Sequence, residues 1–282
     1  MTALGAAGVA RRTIAGVLSA SLIGLFVLPI VALFAYAGAG GLLTAARSPG
    51  FALSLEFTLL ASGMAVGVGL VTGVPLGYVL ARYRFPGRDA VRSIVLVPVV
   101  VPHLIVGIAL LLLFEPTSLL GRLTAALGIP IFDAIGGVVL VMVYVGASYV
   151  VLTSEMAFRS VEPGALEAAR SLGATPTEAF VTLTLPSAAR GIATGALLMW
   201  ARGVSEVGGF LILAYAITPS PPWSGPVTNT ASVYIYNLYA IDGLPGATGA
   251  AALLVLVALA IFLAIRLIDR TGVAWARGAW FS

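Results

Sequence analysis

Residues 167–186 read EAARSLGATPTEAFVTLTLP. The stretch is polar, carries its own helix start and stop signals, and lies between long apolar runs. Its surroundings set its meaning. The chain is 60% hydrophobic and only 9% charged, with a mean hydropathy of +1.08. A soluble domain carries about a quarter charged residues, so most of this chain has a bilayer as its solvent. A polar insert of this kind must then project out of the membrane, and its shape decides what it projects for.

Crossing the hydrocarbon core takes about 20 apolar residues as helix. Six stretches qualify: Ile14–Ala37, Thr58–Leu80, Ile94–Phe114, Ile135–Thr153, Ile192–Ala216 and Ala247–Ile268. In lipid the backbone must satisfy its own hydrogen bonds, so each is expected as a helix. Period-2 alternation of the transmembrane barrel type is absent. The expected fold is therefore an all-α integral membrane protein of about six spans. Residues 1–282 are expected as a single transmembrane domain, with residues 154–190 as one polar segment within it.

Arginine sets the orientation. All 15 basic residues are Arg, and there is no Lys. With these spans, Arg11, Arg12, Arg82, Arg84, Arg88, Arg92, Arg159, Arg170, Arg190, Arg266, Arg270 and Arg277 fall on one side. Arg47 and Arg122 fall on the other, and Arg202 lies within a span. The positive-inside rule makes the arginine-rich side cytoplasmic, together with both termini and the polar insert. The first apolar run is too long for a cleaved export signal and is expected to be retained. With no Cys there is neither a disulfide framework nor a thiolate metal site. Small residues, including 33 Gly, suit close helix packing in lipid. Gly63, Gly67, Gly69, Gly136 and Gly137 are candidates.

Pro163 fits a first helical turn, and Gly164–Leu172 reads as a short helix. Leu166, Ala169 and Leu172 share one face. Gly173 fits the position just past the helix end. Thr175-Pro176-Thr177-Glu178 is a capping box, opening a second helix to about Thr184, with Pro186 setting its end. Two short helices also suggest a DNA-reading module. However, Glu155, Glu162, Glu167 and Glu178 offset Arg159, Arg170 and Arg190, and phosphate backbones need a basic surface. A plain solvated loop would need neither caps nor an apolar stripe, so a docking element for another protein fits better.

The segment resembles the EAA loop of the permease subunits of ABC importers. The resemblance is carried by Glu167-Ala168-Ala169, then Gly173, Leu183, Leu185 and Pro186 at the family spacing. Leu183 stands where Ile is more usual. The resemblance implies a type I ABC importer permease fold, with this segment as the cytoplasmic coupling loop. It further implies that Glu167, Ala168, Ala169, Gly173, Leu185 and Pro186 couple to a separate cytoplasmic ATPase. A phosphate-binding loop needs a lysine on the phosphates, and this chain has none. The expected role is thus a non-catalytic subunit of an ATP-hydrolysing translocase. This chain would bind no cofactor and no metal, with ATP and Mg²⁺ held on the partner. The implied partners are two ATPase copies, a second permease copy as a homodimer, an extracytoplasmic substrate-binding protein and the bilayer, with no nucleic acid.

Charges inside the membrane point to a pathway. Arg202, Ser205 and Glu206 lie in WARGVSEVGG at residues 200–209. A charge at mid-depth is costly and faces a bundle interior or a water-filled path. Arg202 and Glu206, four apart, are neighbours on one helix face. Two readings stand: a self-neutralising structural pair, or a polar lining or gate with Arg202 attractive to an anion. Gly208-Gly209 would let neighbouring backbones approach. The stretches ARGVSEVGGFLILAY and TASVYIYNLY are similar to the molybdate/tungstate branch of oxyanion permeases, with sulfate permeases as near relatives. His103, the single histidine, follows Pro98 and Pro102, which should kink or interrupt the third span. It reads as a packed, hydrogen-bonded side chain ahead of a pathway-shaping one. The outer loop from Thr218 to Gly246 places Trp223, Tyr234, Tyr236 and Tyr239 where an interfacial aromatic belt would sit.

The expected function is import of a tetrahedral oxyanion, molybdate or tungstate before sulfate or another small solute. Alternating access would be driven by the separate ATPase in a multi-pass cell-membrane complex. A proton-coupled secondary carrier using Glu206 is the alternative of a different class. Such carriers often carry internal repeats, which are not seen here.

Overall fold

The structure is a computed structural model that describes residues 2–278, with side chains placed over residues 11–265 except at position 163. The side chains of Arg266, Arg270 and Arg277, which contribute to the charge asymmetry, lie outside the described residues, as does that of Ile268 at the end of the expected sixth span.

Among the described residues the chain is mostly helical, with an irregular stretch over residues 214–230 that holds two isolated β-bridges. It runs α1 (Thr2–Ala46), α2 (Pro49–Arg82), α3 (Arg88–Val100), α4 (His103–Phe114), α5 (Leu119–Ala126) and α6 (Ile135–Arg159). It continues through α7 (Pro163–Ser171), α8 (Pro176–Ala179), a π-turn at Phe180–Thr184, α9 (Leu185–Val204), α10 (Gly208–Leu213) and α11 (Ala231–Gly278). Among the described residues, four helices are long and apolar enough to cross a membrane: Arg11–Ala46, Pro49–Arg82, Ile135–Arg159 and Ala231–Ile265. The expected third span is broken. Its halves, α3 and α4, meet at 111°, where Pro98 and Pro102 remove backbone donors. The expected fifth span ends early, at Val204. Although α9 is long enough at 1.5 Å per residue, Arg190 and Arg202 lower its hydropathy. The last helix starts at Ala231, inside what the sequence reads as an outer loop, but it breaks at Gly243 with φ 67°, and the stretch beyond that break holds the expected sixth span from Ala247.

The chain forms two compact units. The smaller joins α1 to Ile235–Val257 of α11. Its helices cross where a Cβ on Gly249 would lie 2.4 Å from the Gly41 carbonyl oxygen, so two backbones touch there.

The larger unit contains Pro49–Tyr234. Its core packs α2, α6 and α9 around Phe57, Val138, Met142, Val145, Val150 and Met199, with Phe210 and Leu213 of α10. Small residues make the seam, as expected in lipid. In α2 the seam is Gly69, Gly73 and Gly77, four apart on one face. A Cβ on Gly77 would lie 2.8 Å from the Val151 carbonyl oxygen, and one on Gly73 would lie 3.0 Å from Val150 Cγ1. Gly63 and Gly67 have open space instead, so of the three expected glycines in this span only Gly69 packs closely. Gly136 and Gly137 abut the carbonyls of Pro130 and Ile131, the connector before α6 rather than a second helix. That connector is clasped by Asp133, whose Oδ1 accepts from the Tyr215 and Ala216 amides at 2.9 and 3.2 Å.

Trp223 departs from the expected aromatic belt. It is buried, edge-on to Phe57 with ring centroids 5.1 Å apart. Its indole N–H donates to the Pro226 carbonyl at 3.2 Å. An indole whose N–H is satisfied locally packs in a core as well as at an interface. Tyr236 and Tyr239 remain exposed.

Candidate functional site

Two places gather the residues singled out above. The first is the polar insert. The α7 helix runs Pro163–Ser171, and Gly173 follows in the left-handed region at φ 91°. This conformation is cheap only for glycine, and it lets the Ala174 amide reach back to the Ala169 carbonyl at 3.0 Å. The capping box forms in full. The Thr175 hydroxyl accepts from the Glu178 amide at 3.2 Å, while Glu178 Oε2 accepts from the Thr175 amide at 2.8 Å. The Thr175 backbone N–H, and after it the hydroxyl, holds the exposed Glu178 carboxyl below its usual range.

Pro186 does not end the second helix. The chain passes through the π-turn directly into α9, and Pro186 occupies the first turn of α9. The π-turn, in which the Leu185 amide donates to the Phe180 carbonyl, widens the helix just ahead of Pro186 and lets the run continue past a residue with no N–H. The insert is therefore anchored at one end and free at the other. Phe180 stacks edge-on against Tyr78 of α2 at 5.0 Å, and Tyr78 meets Phe158 of α6 at 5.1 Å. Ala179 and Thr184 are buried. By contrast, Glu167, Ala168, Gly173 and Pro186 are exposed, and Ala169 and Leu185 are half-buried. Leu172, at the turn between α7 and α8, is 89% exposed. An apolar side chain held out this far on a capped, rigid turn suits a protein contact.

The second place is the break between α9 and α10. Arg202 closes α9, and its Nη2 donates to Glu206 Oε2 at 2.8 Å. Glu206 Oε1 accepts from the Gly209 amide at 2.8 Å, satisfying an orphan donor in the first turn of α10. The Glu206 backbone carbonyl accepts from Ser232 Oγ at 2.5 Å. Ser205 is exposed and donates to the Arg202 carbonyl at 3.0 Å.

The break in the third span faces this one. His103, first residue of α4, places Nδ1 3.5 Å from Glu206 Oε2, and its Nε2 shares a hydrogen bond with Arg202 Nη2. Arginine only donates. In the neutral imidazole this network assigns the acceptor to Nε2 and the proton to Nδ1, toward the carboxylate. Glycines allow the approach. A Cβ on Gly107 would lie 2.9 Å from the Gly209 carbonyl oxygen, and one on Gly208 would lie 3.0 Å from the Leu104 amide nitrogen. The side chain of Glu206 is 0% exposed, that of Arg202 17% and that of His103 48%. The cluster thus presents a cationic and an imidazole group to its open side and hides its carboxylate.

Sequence reasoning separated His103 from this cluster. The prolines announced a break in the third span, but the partner across it is 99 residues away, with no local signal.

Residues 73–271 match the family of binding-protein-dependent transport system inner membrane components. The chain belongs to this family. Both places described above lie within the matched residues. This permease is 35% identical over 213 residues to the molybdate/tungstate transport system permease protein WtpB of Pyrococcus furiosus, covering 76% of each chain. It is 32% identical over 256 residues to the sulfate transport system permease protein CysT of Synechocystis sp., covering 89% of this chain and 87% of the relative. Its fold is similar to a chain of a bacterial alginate ABC transporter crystallised with an alginate pentasaccharide-bound periplasmic protein. The TM-score is 0.71 at 22% identity, covering 93% of this chain and 94% of that one. The permease is a multi-pass membrane protein of the type I ABC importer fold.

Proposed function

We propose that this permease carries a tetrahedral oxyanion, molybdate or tungstate first and sulfate second, across the cell membrane in an ATP-driven complex. The observation that carries the reading is the pairing of two features in one chain. One is an exposed, capped coupling turn at Leu172–Gly173; the other is a half-open Arg202–His103 face at the junction of two broken helices. The first suits a separate cytoplasmic ATPase, and the second suits transient contact with an anion. The substrate order follows the relatives named above. Two permease copies, two ATPases and an extracytoplasmic binding protein complete the complex, with both termini cytoplasmic.

In the proposed cycle, ATP-driven closure of the ATPases moves α7 and the turn after it. The anchored π-turn passes this motion to α2, α6 and α9, and the bundle alternates between outward and inward access. Glu206 limits how tightly Arg202 holds an anion, which favours passage over storage. No group on this chain is assigned to ATP hydrolysis.

The test is reconstitution in proteoliposomes with the cognate ATPase and binding protein. Uptake of molybdate that requires ATP, competes with tungstate and is weakly affected by sulfate is the expected result. Uptake by this chain alone under a proton gradient would establish the secondary-carrier reading instead.

A further inference from the structure

At the end of the bundle from which α7 emerges, arginines converge from three elements. Arg82 closes α2, Arg84 follows in the link, Arg88 opens α3 and Arg159 closes α6. With Ala81 they line a cavity of about 350 Å³. Among the described residues no carboxylate lines it.

The nearby carboxylates are already engaged. Glu155 is buried, and its Oε1 accepts from Arg92 Nε at 2.9 Å and pairs with Arg159 Nη2 at 2.7 Å, with Arg88 Nη2 at 3.9 Å. Asp89 pairs with Arg92 Nη1 at 3.1 Å and is otherwise in solvent. Among the described residues, three of the five arginines thus share two carboxylates, and Arg82 and Arg84 pair with neither. Arg88 Nη2 also donates to the Leu80 carbonyl, which fixes its guanidinium against the end of α2. Two further donors, Arg82 Nη2 and Arg88 Nε, are buried and have no hydrogen-bond partner. A guanidinium donor removed from water without an acceptor is destabilising. Both belong to side chains that line this one cavity, in a region already carrying excess positive charge.

We propose that this cavity is a binding site for a tetrahedral oxyanion group, separate from the Arg202–His103 face. Guanidinium groups arriving from several directions match a group with three or four oxygens, since each planar fork takes two of them. A single carboxylate would leave most of the donors unmet. The group is either the headgroup phosphate of an anionic lipid, as basic pockets between membrane helices take up, or a free phosphate-like anion. That this end is cytoplasmic rests on the functional reading above; the binding itself does not. Occupancy neutralises the charge at the root of α7, which begins four residues after Arg159.

The test uses the permease assembled with its ATPase, as wild type, Arg82→Gln/Arg84→Gln and Arg84→Gln. One arm places each complex in nanodiscs of phosphatidylcholine with phosphatidylglycerol, then counts retained phosphatidylglycerol by native mass spectrometry. The other measures binding of radiolabelled inorganic phosphate in lipid-depleted detergent. Wild type retains at least one of the two probes, and the double variant binds it about a hundredfold more weakly, as removal of two charge-assisted contacts implies. Retained lipid without phosphate binding identifies the headgroup; phosphate binding without retained lipid identifies the free anion. Equal occupancy in wild type and variants, or occupancy by neither probe, overturns the proposal. Should the double variant fail to assemble, Arg84→Gln decides, because Arg84 is exposed in the link. Neither readout requires transport, so the importer reading and this site fail independently.

Discussion

Arg202 and Glu206 meet at 2.8 Å one turn apart, yet only the carboxylate is sealed, with Glu206 at 0% and Arg202 at 17% side-chain exposure. The pair is thus unequal. Glu206 holds the start of α10 through the Gly209 amide and the end of α9 through Arg202. Replacing it with Ala strands a largely buried guanidinium and an orphan amide together. Breaking a buried pair from one side costs about 3–5 kcal/mol. Glu206→Ala is expected to lose folded yield and melting temperature in detergent, and Glu206→Gln, which keeps an acceptor, to lose less. Equal melting temperatures for both variants and wild type would remove the anchor role.

Arg202 and His103 make up the open side of the same cluster. If that side lines the pathway, Arg202→Ala and His103→Ala assemble with the ATPase but change the substrate dependence of its activity. A loss of about tenfold in stimulated ATPase corresponds to a single charge-assisted contact. The measurement is ATP hydrolysis in proteoliposomes against binding protein loaded with molybdate. Unchanged kinetics in both variants would leave the cluster as a purely structural junction.

Gly173 sits at φ 91° with open space around a would-be Cβ, so conformation alone selects glycine. A left-handed residue other than Gly costs about 1–2 kcal/mol, least for Asn. Recovery of the ATPase in co-purification should fall in the order Gly173→Asn, Gly173→Ala, Gly173→Val. Gly173→Asp should release or uncouple the ATPase, by adding a charge to the proposed contact. Similar recovery for Val and Asn would show that the turn does not require this backbone.

What the sequence disclosed was local. The glycine turn, the capping box and the four-residue spacing of Arg202 and Glu206 depend on residues within one or two helical turns, and each appears where the spacing predicts it. Pro186 misled because a proline in a first turn carries the same signature as a proline that stops a helix. The stretch VGGFLILAY, residues 207–215, reads as unbroken span on hydropathy. Only the Glu206 side chain, folded onto the Gly209 amide, shows why the helix breaks and restarts. His103 joins its cluster through a contact that periodicity does not encode. Composition alone places Trp223 at an interface, whereas Phe57 offers it an edge-on core contact.

Glu178 gives a pH-dependent readout of the coupling segment. Its folded carboxyl titrates below the usual range because the Thr175 amide, then the hydroxyl, stabilises the ionised form. The cap's contribution is therefore complete above the ordinary carboxylate range and is lost as pH falls through the lowered folded value. A carbon-13 titration of the Glu178 carboxyl should show the depressed value in wild type. Thr175→Ala removes the hydroxyl contact and loosens the turn that presents the amide, so its titration should move back toward the ordinary range. An identical titration in the variant would refute the capping account of the shift.

Gly77 and Gly63 lie on the same helix and offer a matched comparison. A Cβ at Gly77 would meet the Val151 carbonyl oxygen and Ser154 Cβ, each at 2.8 Å, whereas at Gly63 it would meet nothing within 4 Å. Backbone cannot rotate away as a side-chain tip can, so Gly77→Ala must push α2 from α6. Overpacking of this kind costs about 1–3 kcal/mol. Gly63→Ala adds no clash and limits the unfolded chain, worth roughly 0.4–1 kcal/mol in favour of the fold. Thermal unfolding of the two variants in the same detergent should move in opposite directions. The same separation extends to function, because Gly77 lies one residue before Tyr78, the ring that carries Phe180 and with it the root of the coupling segment. Gly77→Ala should therefore weaken ATPase coupling as well as stability, and Gly63→Ala should change neither coupling nor assembly. A Gly77→Ala protein as stable and as coupled as wild type would show that the α2–α6 seam tolerates separation.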